Sequence, residues 1–111
     1  MLTIKSGPSG CRIAGLQLQA WIAVHIAEQV YAARKLDLIW TCGTDSKHMP
    51  GSLHFVGLAV DLGMPPAALA PGIMADLKAR LGDDYDVVEE AGATGGPHIH
   101  IEFQPKRAIN K

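Results

Sequence analysis

The stretch "HIHIEF", His98 to Phe103, allows few kinds of structure. Two histidines and a glutamate alternate with two isoleucines and a phenylalanine, and a period of two is that of a β-strand. His98, His100 and Glu102 therefore share one face, and Ile99, Ile101 and Phe103 share the other. A strand divided in this way belongs to a sheet whose apolar side is covered by helices and whose other side carries imidazoles.

The rest of the chain supplies matching parts. Ala14 to Lys35 holds alanine and long aliphatic residues with no proline, which reads as a long helix. Its apolar residues run round most of the circumference, so a central position is expected. Arg34 and Lys35 suit the negative end of its dipole. Leu36 to Cys42 reads as a strand, and "GTDSKHMPGS" as a loop. Leu53 to Met64 is a second strand with Gly57 inside it. "PPAALAP" punctuates, and Gly72 to Gly82 forms a short helix with Ile73, Leu77 and Leu81 on one face and Gly82 as its cap. "DYDVVEEA" and "HIHIEF" are two further strands joined by "GATGGP", most simply as an antiparallel pair. The expected class is α+β, a small, mainly antiparallel sheet with one long and one short helix.

Bulk properties narrow the functions. A chain of 111 residues makes one domain, 1–111, whose modest core a bound metal would usefully reinforce. A net charge of −1 with scattered basic residues argues against a nucleic-acid binder, and no like-charge block suggests a membrane surface. Cys11 and Cys42 lack metal-type spacing and read as free, buried thiols. "MLTIKSGPSGCRIAG" lacks the apolar run of a signal peptide, and no stretch is long enough to span a membrane. A chain made in the cytoplasm is expected.

Four of the five histidines, His48, His54, His98 and His100, lie in or beside the strands, while His25 belongs to the long helix. His54 and Asp61 are seven apart, so one regular strand would turn them to opposite faces. A bulge or bend at Gly57 would let them converge. Two imidazoles and a carboxylate form a catalytic zinc site with one position left for water. Such an ion acidifies water and polarises a carbonyl, as amide hydrolysis requires. Glu90 is the candidate general base, and His98 and His48 are candidates to orient the water or stabilise the oxyanion. The competing reading is that Glu89, Glu90 and Glu102 are solvated strand charges and that the histidines are surface residues.

Ser52, His54, Gly57, Ala59 and Asp61 reproduce S-x-H-x-x-G-x-A-x-D, and "YDVVEE…PHIHIEF" follows. Together these resemble the superfamily of zinc D-alanyl-D-alanine carboxypeptidases and dipeptidases, phage peptidoglycan endopeptidases and the hedgehog signalling domain. The resemblance runs from about Trp40 to Phe103, and the first helix matches only in kind. It implies a hedgehog/DD-peptidase-like fold with Zn²⁺ held by His54, Asp61 and His100. Members with H-x-H use the second histidine, which leaves His98 as a catalytic neighbour; in members with a single histidine after proline, His98 would be the ligand. Relatives carry the acidic base only a few residues before these histidines. Here "AGATGGP" lengthens the gap, so the loop must bring Glu90 back, with Glu89 in reserve. The relatives' substrate-binding arginine has no clear match, which leaves Lys47 or Arg12 only as candidate substitutes.

The implied activity is a zinc metallopeptidase acting on peptidoglycan stem peptides, as a D-Ala-D-Ala carboxypeptidase or an endolysin-type endopeptidase. It would act as a monomer without nucleic-acid or membrane partners, released by phage lysis or carried in a virion. The alternative is a zinc-stabilised binding module on the same scaffold, which the displaced acidic residue favours.

Overall fold

A computed structural model of the chain describes residues 2–4, 15–42, 57–91 and 96–105, without the Cys42 side chain. Five strands and two helices follow in the order β1 (Leu2–Ile4), α1 (Leu18–Ala32), β2 (Leu38–Cys42), β3 (Ala59–Gly63), α2 (Ala70–Leu81), β4 (Tyr85–Glu90) and β5 (His98–Phe103). Ser52, His54, His48, Lys47, Arg12 and Cys11 lie outside the described residues, as does the whole of the loop 43–52.

The sheet has the spatial order β1-β2-β3-β5-β4. β1 pairs with β2 in parallel, and the other three pairings are antiparallel. The class is α+β, as expected. Each helix makes a crossover: α1 joins the parallel neighbours β1 and β2, and α2 joins β3 to β4. Those two strands run the same way because β5 lies antiparallel between them. The last strand thus inserts into the middle of the sheet, where both of its edges are paired.

Alternation in β5 and β3 sends Ile99, Ile101, Val60 and Leu62 to the helix side, each at most 1% exposed. Burying each such side chain contributes roughly 1.5–3 kcal/mol. Leu38 and Trp40 of β2 and Val87 of β4 extend the same layer. From α2, Ile73, Leu77 and Leu81 close over it, the face expected from their spacing. Gly82 caps that helix at φ +84°, its N–H donating to the Lys78 carbonyl. The helix begins two residues earlier than the sequence reading, at Ala70, with Pro71 in its first turn. Proline is tolerated there because the first-turn N–H groups have no helical acceptor in any case.

α1 is shorter than expected and is not central. It buries one face, Ala20, Ala23, Val24, Ala27, Val30 and Tyr31, while Leu18, Trp21 and Ile22 are 70%, 41% and 41% exposed. A helix lying on one side of a sheet has only one face to bury, whatever its remaining composition. Trp21 nonetheless meets the Trp40 ring edge-on at 5.2 Å. The helix ends at Ala32, so Arg34 and Lys35 lie just beyond it; the Arg34 guanidinium still donates to the Val30 carbonyl of the last turn at 3.3 Å, as the dipole reading expects, and also reaches Asp76 of α2 at 2.6 Å. The Tyr31 hydroxyl donates to the Gly63 carbonyl at 2.9 Å, tying α1 to β3, and burial raises the pKa of its phenol. β1 escaped the sequence reading because three residues show no period.

Of the strand expected over Leu53 to Met64, residues 53–56 lie outside the described residues, and Ala59–Gly63 form β3. Gly57 sits before it in a left-handed turn, φ +77°. Its carbonyl accepts the Gln17 N–H at 2.9 Å, and an added Cβ would run into the Gly15 carbonyl oxygen. Gly57 is thus required both by its φ and by the close approach of the chain leading into α1. Whether this turn aims His54 at Asp61 falls outside the described residues. A second irregularity lies in β2, where Trp40 pairs with Leu62 but Cys42 with Asp61, so one extra residue, Thr41, is accommodated.

Gly57→Ala is expected to cost roughly 3 kcal/mol or more in urea unfolding, through strain plus collision. Gly82→Ala has the same sign of φ but open space around it, and should cost about 1–2 kcal/mol.

Candidate metal centre

The face of the sheet away from the helices gathers the residues singled out by chemistry. Register does the gathering. Asp61 of β3 stands directly opposite His100 of β5, and His98 stands directly opposite Glu90 of β4. Glu90 therefore needs no help from the glycine-rich loop. The β4–β5 ladder delivers it whatever the loop length, which removes the difficulty posed by "AGATGGP". Glu89 pairs with Ile99 and alternates onto the helix side, so it is no reserve for the base. His25 stays in α1, exposed and beside Gln29.

At the centre, His100 Nδ1 lies 2.8 Å from Asp61 Oδ1, and its Nε2 lies 2.7 Å from Glu102 Oε1. Both residues are buried. His98 Nε2 lies 3.0 Å from Glu90 Oε1 and 3.5 Å from Asp61 Oδ2. A carboxylate can only accept, so Nε2 carries the hydrogen shared with Glu90. Glu90 Oε1 also comes within 3.9 Å of His100 Nδ1. Two imidazoles and two carboxylates thus converge from three strands.

One ligand atom each from Asp61, Glu90 and His98 lie within 4.8 Å of one another, so that group could hold a metal ion. The composition differs from the expected set. Glu90 and His98, assigned to catalysis from sequence, stand in the metal-capable group. His100, assigned as a ligand, touches Asp61 from the adjoining position with both ring nitrogens engaged by carboxylates. Of the expected ligands, Asp61 and His100 meet, and His54 is outside the described residues, as is His48 among the catalytic candidates.

Electrostatics explains how a buried histidine tolerates this position. Burial alone would lower the pKa of His100. Hydrogen bonds to Asp61 and Glu102, with the charges of Asp61 and Glu90, outweigh it and raise the value from 6.5 to about 9. In the metal-free protein His100 is thus an imidazolium clasped between two carboxylates. A cation bound at Nδ1 must displace that proton, because metal ligands bind deprotonated.

Two results follow. A pKa raised on folding contributes stability that is whole below about 6.5 and is lost as pH rises through about 9. The melting temperature of the metal-free protein should therefore fall between those values, and His100→Gln should flatten the profile. At pH 7, calorimetric metal titrations in buffers of different ionisation enthalpy should register release of about one proton.

No protein-family model matches the chain, and no curated protein or solved structure matches it significantly.

Proposed function

We propose that the chain is a zinc-dependent peptidase that hydrolyses peptide stems of bacterial peptidoglycan, as a D-Ala-D-Ala carboxypeptidase or an endolysin-type endopeptidase. The observation that carries this reading is the meeting of Asp61, His100, His98 and Glu90 on one sheet face, at positions drawn from both parts of the motif pair. A mixture of imidazole and carboxylate donors favours zinc over magnesium or calcium. Asp61 and His100 would hold the ion, with His54 as the third ligand implied by the resemblance. When bound, zinc supplies a Lewis acid that polarises the scissile carbonyl and acidifies water.

The chain's own groups divide the remaining work. Glu90 Oε1 takes a proton from the attacking water and returns it to the departing amine nitrogen. Its side chain is about half exposed, so water and substrate reach it. His98 Nε2–H donates to that carboxylate at 3.0 Å; once Glu90 turns to the water, the same N–H becomes the donor for the carbonyl oxygen as charge develops there. His48 is the second such donor on the sequence reading. The registered Glu90–His98 pair favours hydrolysis over the binding-module alternative, which drew its support from a misplaced acid.

Purified protein supplied with zinc should release stem-peptide fragments from peptidoglycan sacculi, identified by mass spectrometry. Glu90→Gln should slow this by roughly 10²–10⁴-fold while retaining the ion. Protein that binds zinc and melts lower after chelation, yet cuts no stem bond, would replace the peptidase with the binding module.

A further inference from the structure

Glu102 has no part in the roles described above. It follows His100 by two residues on β5, so it shares the histidine face. A solvated strand carboxylate would turn to water, but Glu102 does not. Its Oε1 lies 2.7 Å from His100 Nε2, and its side chain is 24% exposed. Its other oxygen faces the Gln104 side-chain amide, whose nitrogen, in the orientation that satisfies both of its polar atoms, would donate to Glu102 Oε2 at 3.0 Å and to Asp86 Oδ2 at 2.8 Å. Asp86 itself is the residue paired with Glu102 across β4–β5. The carboxylate is held at both ends, and so is the imidazole it faces.

With an ion held by Asp61, this arrangement leaves Nδ1 as the nitrogen of His100 that can serve it. A neutral imidazole has one N–H and one lone pair. With Nε2–H donating to Glu102, the lone pair falls on Nδ1, the atom 2.8 Å from Asp61 Oδ1. The opposite tautomer would set a lone pair against the Glu102 carboxylate and turn a hydrogen toward the metal side. We propose that Glu102 is the positioning residue of the metal centre: it fixes His100 as the Nε2–H tautomer and makes Nδ1 the ligating atom beside Asp61. The inference rests on the metal-site reading given under Proposed function. Glu102 acts through His100 and touches neither ion nor substrate.

The test uses the full chain with Zn²⁺ alone as the probe. Zinc affinity is measured by competition with a chromophoric chelator for the wild type, Glu102→Ala and Glu102→Gln. Alanine leaves Nε2–H without its acceptor, and affinity should fall roughly 10- to 100-fold. Glutamine keeps an oxygen that can accept the same hydrogen, so it should restore most of the loss. In zinc-loaded wild-type protein, long-range ¹H–¹⁵N spectra should show His100 protonated at Nε2 and metallated at Nδ1, a readout that needs no variant to fold. Wild-type affinity retained by Glu102→Ala, or metallation at Nε2, would overturn the role of Glu102 and leave the metal site standing. Wild-type protein that binds no zinc would remove the site itself, and this inference with it.

Discussion

The antiparallel ladder between β3 and β5 is the constraint on which everything else turns. It sets Asp61 against His100 and, one step along in each direction, Val60 against Ile101 and Leu62 against Ile99. The second set is buried beneath the helices and the first lies on the opposite side. A slip of one residue would carry the carboxylate and imidazole into the apolar layer and the aliphatic residues out of it. The hydrophobic core therefore specifies the polar pair from the opposite face of the sheet. Inserting β5 between β3 and β4 extends this control, because one strand then positions partners on both sides of itself.

Such a pair is costly to bury. Desolvating a carboxylate and an imidazolium is repaid only where geometry and further hydrogen bonds are good. Here the repayment is shared: Asp61 and Glu102 clasp the ring from its two nitrogens, and no described buried side-chain polar atom lacks a partner. A metal-free centre of this kind is already ordered. On the proposed reading, its proton and a cation would compete for the same nitrogen. The aliphatic layer supplies the stability that permits this arrangement, and the bulge at Thr41 and the turn at Gly57 fit the neighbouring chain to it.

Much of this was legible in the residues, to differing depth. The alternation of "HIHIEF" gave its strand limits and both its faces, because a half-buried central strand writes its environment into every second residue. The spacing of Ile73, Leu77 and Leu81 gave the buried face of α2 for the same reason. The surface of α1 misled, since Leu18, Trp21 and Ile22 are apolar without being buried and composition does not say which side meets the sheet. The sequence singled out Asp61, His98, His100 and Glu90, and the structure brings these side chains together, but the way they pair was not readable. Sequence distance made the glycine-rich loop look like an obstacle, whereas pairing between β4 and β5 depends on register and ignores what the hairpin end contains. Glu102 looked like a surface charge for the complementary reason. Its partner lies two residues away on its own strand, where a pattern of faces records proximity but not a bond.

The exposure of the four central side chains is graded. Asp61 and His100 are each 10% exposed, His98 is 19%, and Glu90 is 47%. The gradient follows directly from strand order, since β3 and β5 are interior and β4 is the edge. Groups that hold an ion benefit from a dry, fixed setting, where charges interact strongly and rotamers are locked. A group that moves a proton must instead meet solvent and change position during a cycle. On the proposed reading, holders on the interior strands and a proton carrier on the edge strand would meet both demands with one sheet. On the proposed reading, the topology that inserts β5 beside β3 is thus what separates binding from chemistry: it keeps Asp61 and His100 rigid while leaving Glu90 able to turn between His98 and an incoming substrate.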